Sequence, residues 1–408
     1  MSPPLASLPS YTPSVTARAA TPAGRARRYV PALDGLRGVA ALAVVCFHFG
    51  RAEVPGMGAR IVGAATQFGW TGVELFFVLS GFLITGILLD TRGDRAYLRT
   101  FYQRRALRIL PLYLLFVWVM VYLIAPRAGA PSDALVARQW WLWTYLANVD
   151  IAQHGWYTGV GGPAAHLWSL SIEEQYYLAF PLLVLWLPSA WLARAVVALI
   201  AASVVGRAVL ALTGHPARMG YVLTFTRLDG LGLGALLAIQ ARREDGLNHV
   251  VHAARVALGL AAATVLALVA RTGRFSYADW EILHLGVPAV SIGFAALLTL
   301  IVAPAGVPRL RGVFEHASLR YLGVISYSLY IWHPLVGTAL RRAGLSQQTL
   351  YAKLPSGVLA VVVVMVAQAA VAIVVASVSY RCIERPFLAL KERSADRAPR
   401  TATELPVP

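Results

Sequence analysis

Arg37 and His48 stand eleven residues apart in one apolar stretch, YVPALDGLRGVAALAVVCFHF, which runs from Tyr29 to Phe49. If that stretch is helical, eleven residues at about 100° each fall within roughly 20° of a whole number of turns, so both side chains leave on one face, roughly 16 Å apart along the axis. The pairing has chemical meaning. A guanidinium grips phosphate oxygens in pairs, and a neutral imidazole takes a proton from a hydroxyl near neutral pH. Both sit badly in an apolar helix, where insertion scales put an ionisable residue at about 2.5–3.5 kcal/mol.

Other ionisable residues recur in apolar surroundings. Glu74 lies in GWTGVELFFVLSGF; His166, Trp168, Glu173 and Glu174 in HLWSLSIEEQYYL; Arg227 and Asp229 in TFTRLDGLGLGALL; and His333 in YLGVISYSLYIWHPL. A second arginine group, Arg104, Arg105 and Arg108, opens FYQRRALRILPLYLL. Each has a structural reading beside the functional one. Glu74 is a candidate partner for Arg227, Arg227 and Asp229 could neutralise one another, and Arg105 and Arg108 could only set orientation in a membrane. Close helix packing accounts for Gly69, Gly72 and Gly81.

The elements that must position these groups are membrane helices. The 408 residues are 58% hydrophobic and 13% charged, and mean hydropathy is +0.62; soluble domains carry about 25% charged residues. The reading is all-α, a polytopic helix bundle. Runs of the roughly 17–25 residues that cross a bilayer fall near 33–50, 68–90, 106–126, 166–187, 191–212, 221–240, 251–271, 280–303, 320–340 and 357–381. These ten spans place both termini on one side. With the N-terminus inside, inner segments hold 23 Arg and Lys and outer loops ten, which supports N-in and C-in by the positive-inside rule. Alternation then puts His48, Glu74, Glu173, Arg227, Asp229 and His333 in the outer half. Arg37, Arg105 and Arg108 lie toward the inner face.

Net charge is +17, yet the basic residues occupy short loops, so nucleic-acid binding is excluded as the reason for them. Two cysteines, Cys46 and Cys382, offer neither a disulfide framework nor a metal site, and no metal is expected. Residues 1–28 read as a disordered basic tail, 29–388 as the membrane domain, and 389–408 as a disordered cytoplasmic tail. The outer connection 127–165 is rich in Trp and Tyr, and its apolar piece near 135–147 reads as an interfacial helix in an aromatic belt, with an acceptor-binding platform as the alternative.

LDGLRGVAALAVVCFHF, GWTGVELFFVLSGFLITGIL, FYQRRALRILPLY, HLWSLSIEEQYYL, RLDGLGLGALLA, GVISYSLYIWHPL and IERPF, in this order across residues 29–388, resemble the motifs of the membrane acyltransferase family 3, bacterial O-acyltransferases of sugars and surface glycans. The resemblance implies a ten-helix enzyme of the cytoplasmic membrane that moves an acyl group, most often acetyl, from cytoplasmic acyl-CoA to a carbohydrate hydroxyl. Its arginine-histidine motif falls on Arg37 and His48, its paired arginines on Arg105 and Arg108, and an acidic position on Glu74. The chain resembles the stand-alone form, without an extracytoplasmic hydrolase-like domain.

These readings combine into one expectation. Arg37, Arg105 and Arg108 hold the CoA phosphates, His48 is the general base, and Glu74 or Glu173 orients it. Arg227, Asp229, His333 and Trp168 line the acceptor, which is a surface glycan or the sugar or hydroxyl of a glycolipid or macrolide-type metabolite. The partners are acyl-CoA, that acceptor and the bilayer, with homo-oligomerisation left open. The rival is a secondary transporter or flippase for a glycan-type substrate.

Overall fold

The structure, a computed structural model, describes residues 29–128, 133–158, 160, 162–354 and 356–396. The expected tails at 1–28 and 397–408 lie outside the described residues, and the last helix runs on past residue 389 to Asp396. Pro31–Pro408 forms one compact unit; of the other, Met1–Val30, only residues 29 and 30 are described.

Among the described residues every regular element is helical. The helices used below are α1 (Pro31–Phe49), α2 (Met57–Gln67), α3 (Gly72–Thr91), α4 (Tyr97–Trp118), α5 (Ala147–His154), α6 (Leu167–Trp186) and α7 (Ser189–Leu212). They are followed by α8 (Leu228–Gln240), α9 (Val251–Thr272), α10 (Val287–Val302), α11 (Ala317–Val324), α12 (Ser326–Arg342), α13 (Gly357–Ser379) and α14 (Arg385–Asp396). Seven helical stretches are long and apolar enough to cross a membrane: Pro31–Phe49, Met57–Thr91, Tyr97–Arg127, Ala190–Leu212, Asn248–Thr272, Ile282–Val302 and Gly357–Leu390. The chain thus folds as a polytopic helical membrane bundle. The other three expected spans correspond to α6, α8 and α12, the helices that carry Glu173, Asp229 and His333.

Two boundaries differ from the expectation for a stated reason. The second span begins at Met57 instead of near residue 68, because α2 passes through a 3₁₀ turn at Phe68–Thr71 directly into α3. The sixth is broken: a helix at Ala217–Val222 gives way to a turn at Thr224–Thr226 before α8 starts. Such a break survives inside a bundle only when protein groups satisfy the freed backbone; here Arg207 donates to the Thr226 carbonyl at 2.5 Å. The piece near 135–147 forms two short helical segments, Asp133–Ala137 and Trp140–Trp143, with Leu142 fully buried between them and the bundle.

Glycine sets how closely the helices approach. A Cβ on Gly69 or Gly72 would fall 2.1 Å or 2.4 Å from the carbonyls of Ala43 and Ala40 on α1, and one on Gly81 would fall 1.9 Å from the Leu231 carbonyl on α8. Only hydrogen fits there. Connections assigned to a common side by alternation also meet one another. Gln347 donates to the Arg51 carbonyl (2.8 Å) on one face, where the Trp70 indole within the second span also donates to the Phe275 carbonyl (3.1 Å). On the other, Arg242 pairs with Asp90 (2.7 Å) and Arg92 donates to the Leu187 carbonyl (2.6 Å).

Candidate active site

His48, on the last turn of α1, is held by another histidine. Its Nδ1 lies 2.9 Å from the Val44 carbonyl and 3.3 Å from Nε2 of His333 on α12, with the rings 4.8 Å apart. Nδ1 of His333 faces two carbonyls, Tyr330 at 2.8 Å and Leu329 at 3.1 Å. Carbonyls only accept, so His333 carries its proton on Nδ1 and presents a lone pair at Nε2. The His48 Nδ1, flanked by the Val44 carbonyl and that lone pair, must then be the donor. In neutral His48 this leaves Nε2 unprotonated. His333 is fully buried while His48 is an exposed residue. A third imidazole, His166, has its ring 5.5 Å from that of His333.

Neither carboxylate expected to orient His48 reaches it. With Gly69 level with Ala43 and Gly72 with Ala40, the antiparallel register carries Glu74 to about the level of residue 38, roughly 15 Å from His48 at 1.5 Å per residue. Glu74 instead forms a fully buried ion pair with Arg227 and accepts from the Ser291 hydroxyl at 3.4 Å. The same-layer placement failed because depth was counted from residue 68, eleven positions beyond the true helix start at Met57.

Arg227 and Asp229 do not pair with each other. Asp229 binds Arg207 at 2.8 Å, while Arg227 lies over the rings of Tyr221 (5.0 Å) and Phe77 (5.6 Å). All four charges are buried, which engages the proposed substrate contacts Arg227 and Asp229 within the protein. Arg207 is a further member of this network, and a lone arginine within a span is its sequence signal. Trp168 is buried too, with its ring 4.6 Å from Tyr221.

The arginine group does assemble. Arg37 is within electrostatic reach of Arg105 and Arg108, and only partly buried. Carboxylates are interleaved with it: Glu173 and Glu174 near Arg105, and Glu384, on a π-helical turn at Tyr380–Glu384, near Arg108 and Arg37. Glu173 accepts from the Ser80 hydroxyl at 2.7 Å, Ser80 accepts from Tyr177 at 3.0 Å, and the Arg105 guanidinium stacks 4.8 Å over the Tyr177 ring. Ser80 and Tyr177 are further members that sequence spacing did not reveal.

The histidine pair thus lies at one end of α1 and the arginine cluster at the other. The acyltransferase-domain model matches residues 30–376. The chain belongs to this acyltransferase family. Among its relatives, the acyltransferase is 28% identical over 379 residues to the peptidoglycan O-acetyltransferase OatA of Listeria monocytogenes, covering 88% of this chain and 56% of that one. It is 31% identical over 331 residues to the putative peptidoglycan O-acetyltransferase YrhL of Bacillus subtilis (75% and 48%), and 28% identical over 382 residues to the O-acetyltransferase OatA of Staphylococcus aureus (88% and 57%). The acyltransferase chain therefore spans about half the length of these curated relatives. No solved structure matches it.

Proposed function

We propose that the protein is an O-acyltransferase of the cytoplasmic membrane that moves an acetyl group from cytoplasmic acyl-CoA to a hydroxyl of a glycan. The observation that carries this reading is the chain of contacts from the Leu329 and Tyr330 carbonyls through His333 to Nδ1 of the exposed His48, which leaves its Nε2 unprotonated in the neutral ring. Nε2 takes the acceptor hydroxyl proton as that oxygen attacks the thioester carbonyl; the C–S bond breaks, and the proton passes to the departing CoA thiolate. His333 accepts from the Nδ1–H of the resulting imidazolium and keeps its ring oriented.

Arg37, Arg105 and Arg108 would hold the phosphates of CoA through paired N–H donors, with Glu173, Glu174 and Glu384 balancing their charge before the donor binds. The roughly 16 Å along α1 between Arg37 and His48 is then the reach of the donor's arm. The relatives named for peptidoglycan O-acetylation favour a saccharide acceptor. The test is thiol release from acetyl-CoA by the purified protein given soluble peptidoglycan fragments. Removal of a general base costs about 10²–10⁴ in rate, so His48→Ala should lose that much kcat at unchanged Tm. Near wild-type transfer by His48→Ala would overturn the assignment.

A further inference from the structure

Two rings from separate connections meet and are joined to His48 through Phe47. Trp156 follows α5; Tyr277 follows Gly273, whose φ of 69° ends α9 in the left-handed region that glycine tolerates. Their ring centroids lie 5.7 Å apart. Phe47, adjacent to His48 in the chain, bridges the two groups, with its ring 4.9 Å from His48 and 6.4 Å from Tyr277. Behind this wall is a second layer. Tyr221 stacks on Tyr277 at 4.4 Å and 10°, Trp70 meets Tyr277 at 5.8 Å, and Trp168 meets Trp156 at 6.3 Å.

The two layers differ in exposure. Trp70, Trp168 and Tyr221 are buried, whereas Phe47, Trp156 and Tyr277 keep accessible surface. Rings of a membrane belt point outward singly at the headgroup level. These face one another across more than a hundred residues of sequence, backed by a rigid aromatic layer, on the side of the bundle where the proposed base is accessible.

We propose that Phe47, Trp156 and Tyr277 form an acceptor subsite that takes the apolar face of a pyranose ring and presents its hydroxyl to His48. A pyranose carries its ring C–H groups on its faces and its hydroxyls around its rim, so it fits a site with an aromatic wall and polar groups beside it. Burial holds the Tyr277 phenol above its ordinary value, keeping it a neutral donor, and exposed Arg51, within electrostatic reach of that phenol, adds N–H donors at the rim. The subsite rests on the O-acyl-transfer reading of the same centre.

Acyl transfer by the purified protein in lipid nanodiscs, from acetyl-CoA to a soluble peptidoglycan disaccharide, tests it. Loss of one stacking ring should raise KM for the disaccharide about 10-fold in Trp156→Ala and in Tyr277→Ala, with the shift in the saccharide KM and not in that for acetyl-CoA. Trp156→Phe should recover most of the loss in saccharide KM, while the KM for acetyl-CoA and Tm stay unchanged throughout, which a merely structural role of the indole would not give. If Trp156→Ala is poorly folded, Arg51→Ala, on an exposed side chain, must raise the same KM. Unchanged saccharide KM in the folded variants, while His48→Ala is inactive, would overturn the subsite and leave the transfer reading standing. Failure of the wild type to acylate any saccharide would overturn both.

Discussion

A histidine held by a second histidine behaves differently from one held by a carboxylate when it gains a proton. A carboxylate neutralises the imidazolium; a neutral imidazole only accepts its N–H and leaves the charge to be spread by surrounding dipoles. His48 is of the second kind, because His333 is tied by Nδ1 to the Leu329 and Tyr330 carbonyls and offers a lone pair. As the proposed base, His48 would be oriented without a permanent charge fixed at that depth, where an unpaired carboxylate would be costly. On this reading His333→Ala frees the His48 ring to rotate and adopt the other tautomer. Its kcat should fall on the order of 10²-fold, within the range for losing the base itself, with KM for acetyl-CoA little changed. Wild-type turnover by His333→Ala, measured as thiol release, would remove His333 from the relay.

At the scale of helices, α3 and α8 are joined by glycine contacts and by charge. Gly81 lets the Leu231 backbone approach, and Glu74 on α3 pairs with Arg227 at the start of α8, next to the Arg207–Asp229 pair from α7. Breaking a buried pair by removing one partner typically costs about 3–5 kcal/mol, while replacing both by apolar residues of similar volume is often neutral. Glu74→Leu should therefore lower the yield of folded protein and its Tm sharply, and Glu74→Leu with Arg227→Met should restore both. Thermal melts of the two in detergent check this. A folded, stable, inactive Glu74→Leu would instead return Glu74 to the chemistry.

The molecule as a whole sorts its polar groups along the bundle: histidines and partly exposed aromatic rings at one end, arginines with interleaved carboxylates toward the other, and the buried Glu74–Arg227 pair at about the level of Arg37. On the proposed reading that order would give donor and acceptor separate entrances, provided the His48 end faces outward. Topology is open to direct measurement. With Cys46 and Cys382 replaced by serine, a membrane-impermeant maleimide should label Tyr157→Cys in intact cells and Glu244→Cys only after permeabilisation; both positions are exposed. The reverse pattern would invert the assignment made from arginine counts.

The amino-acid sequence alone determined the class of protein, the approximate helices, the family motifs and which polar residues lie within them. Hydropathy and the cost of burying charge act locally, so a string of residue types is enough to read them. It did not determine which of those residues touch. Depth is one coordinate of three, and Glu74, His48, Arg227 and Asp229, set in one layer by counting, take different partners once helix register and rotation are fixed. Those are decided by contacts between residues far apart in the chain, such as Gly72 against Ala40 and Gly81 against Leu231, and by the uninterrupted passage of α2 into α3. The tertiary structure therefore paired Glu74 with Arg227, Asp229 with Arg207 and Glu173 with Ser80, and left His48 to His333, because close packing of helices selects neighbours that a one-dimensional pattern of polarity does not encode.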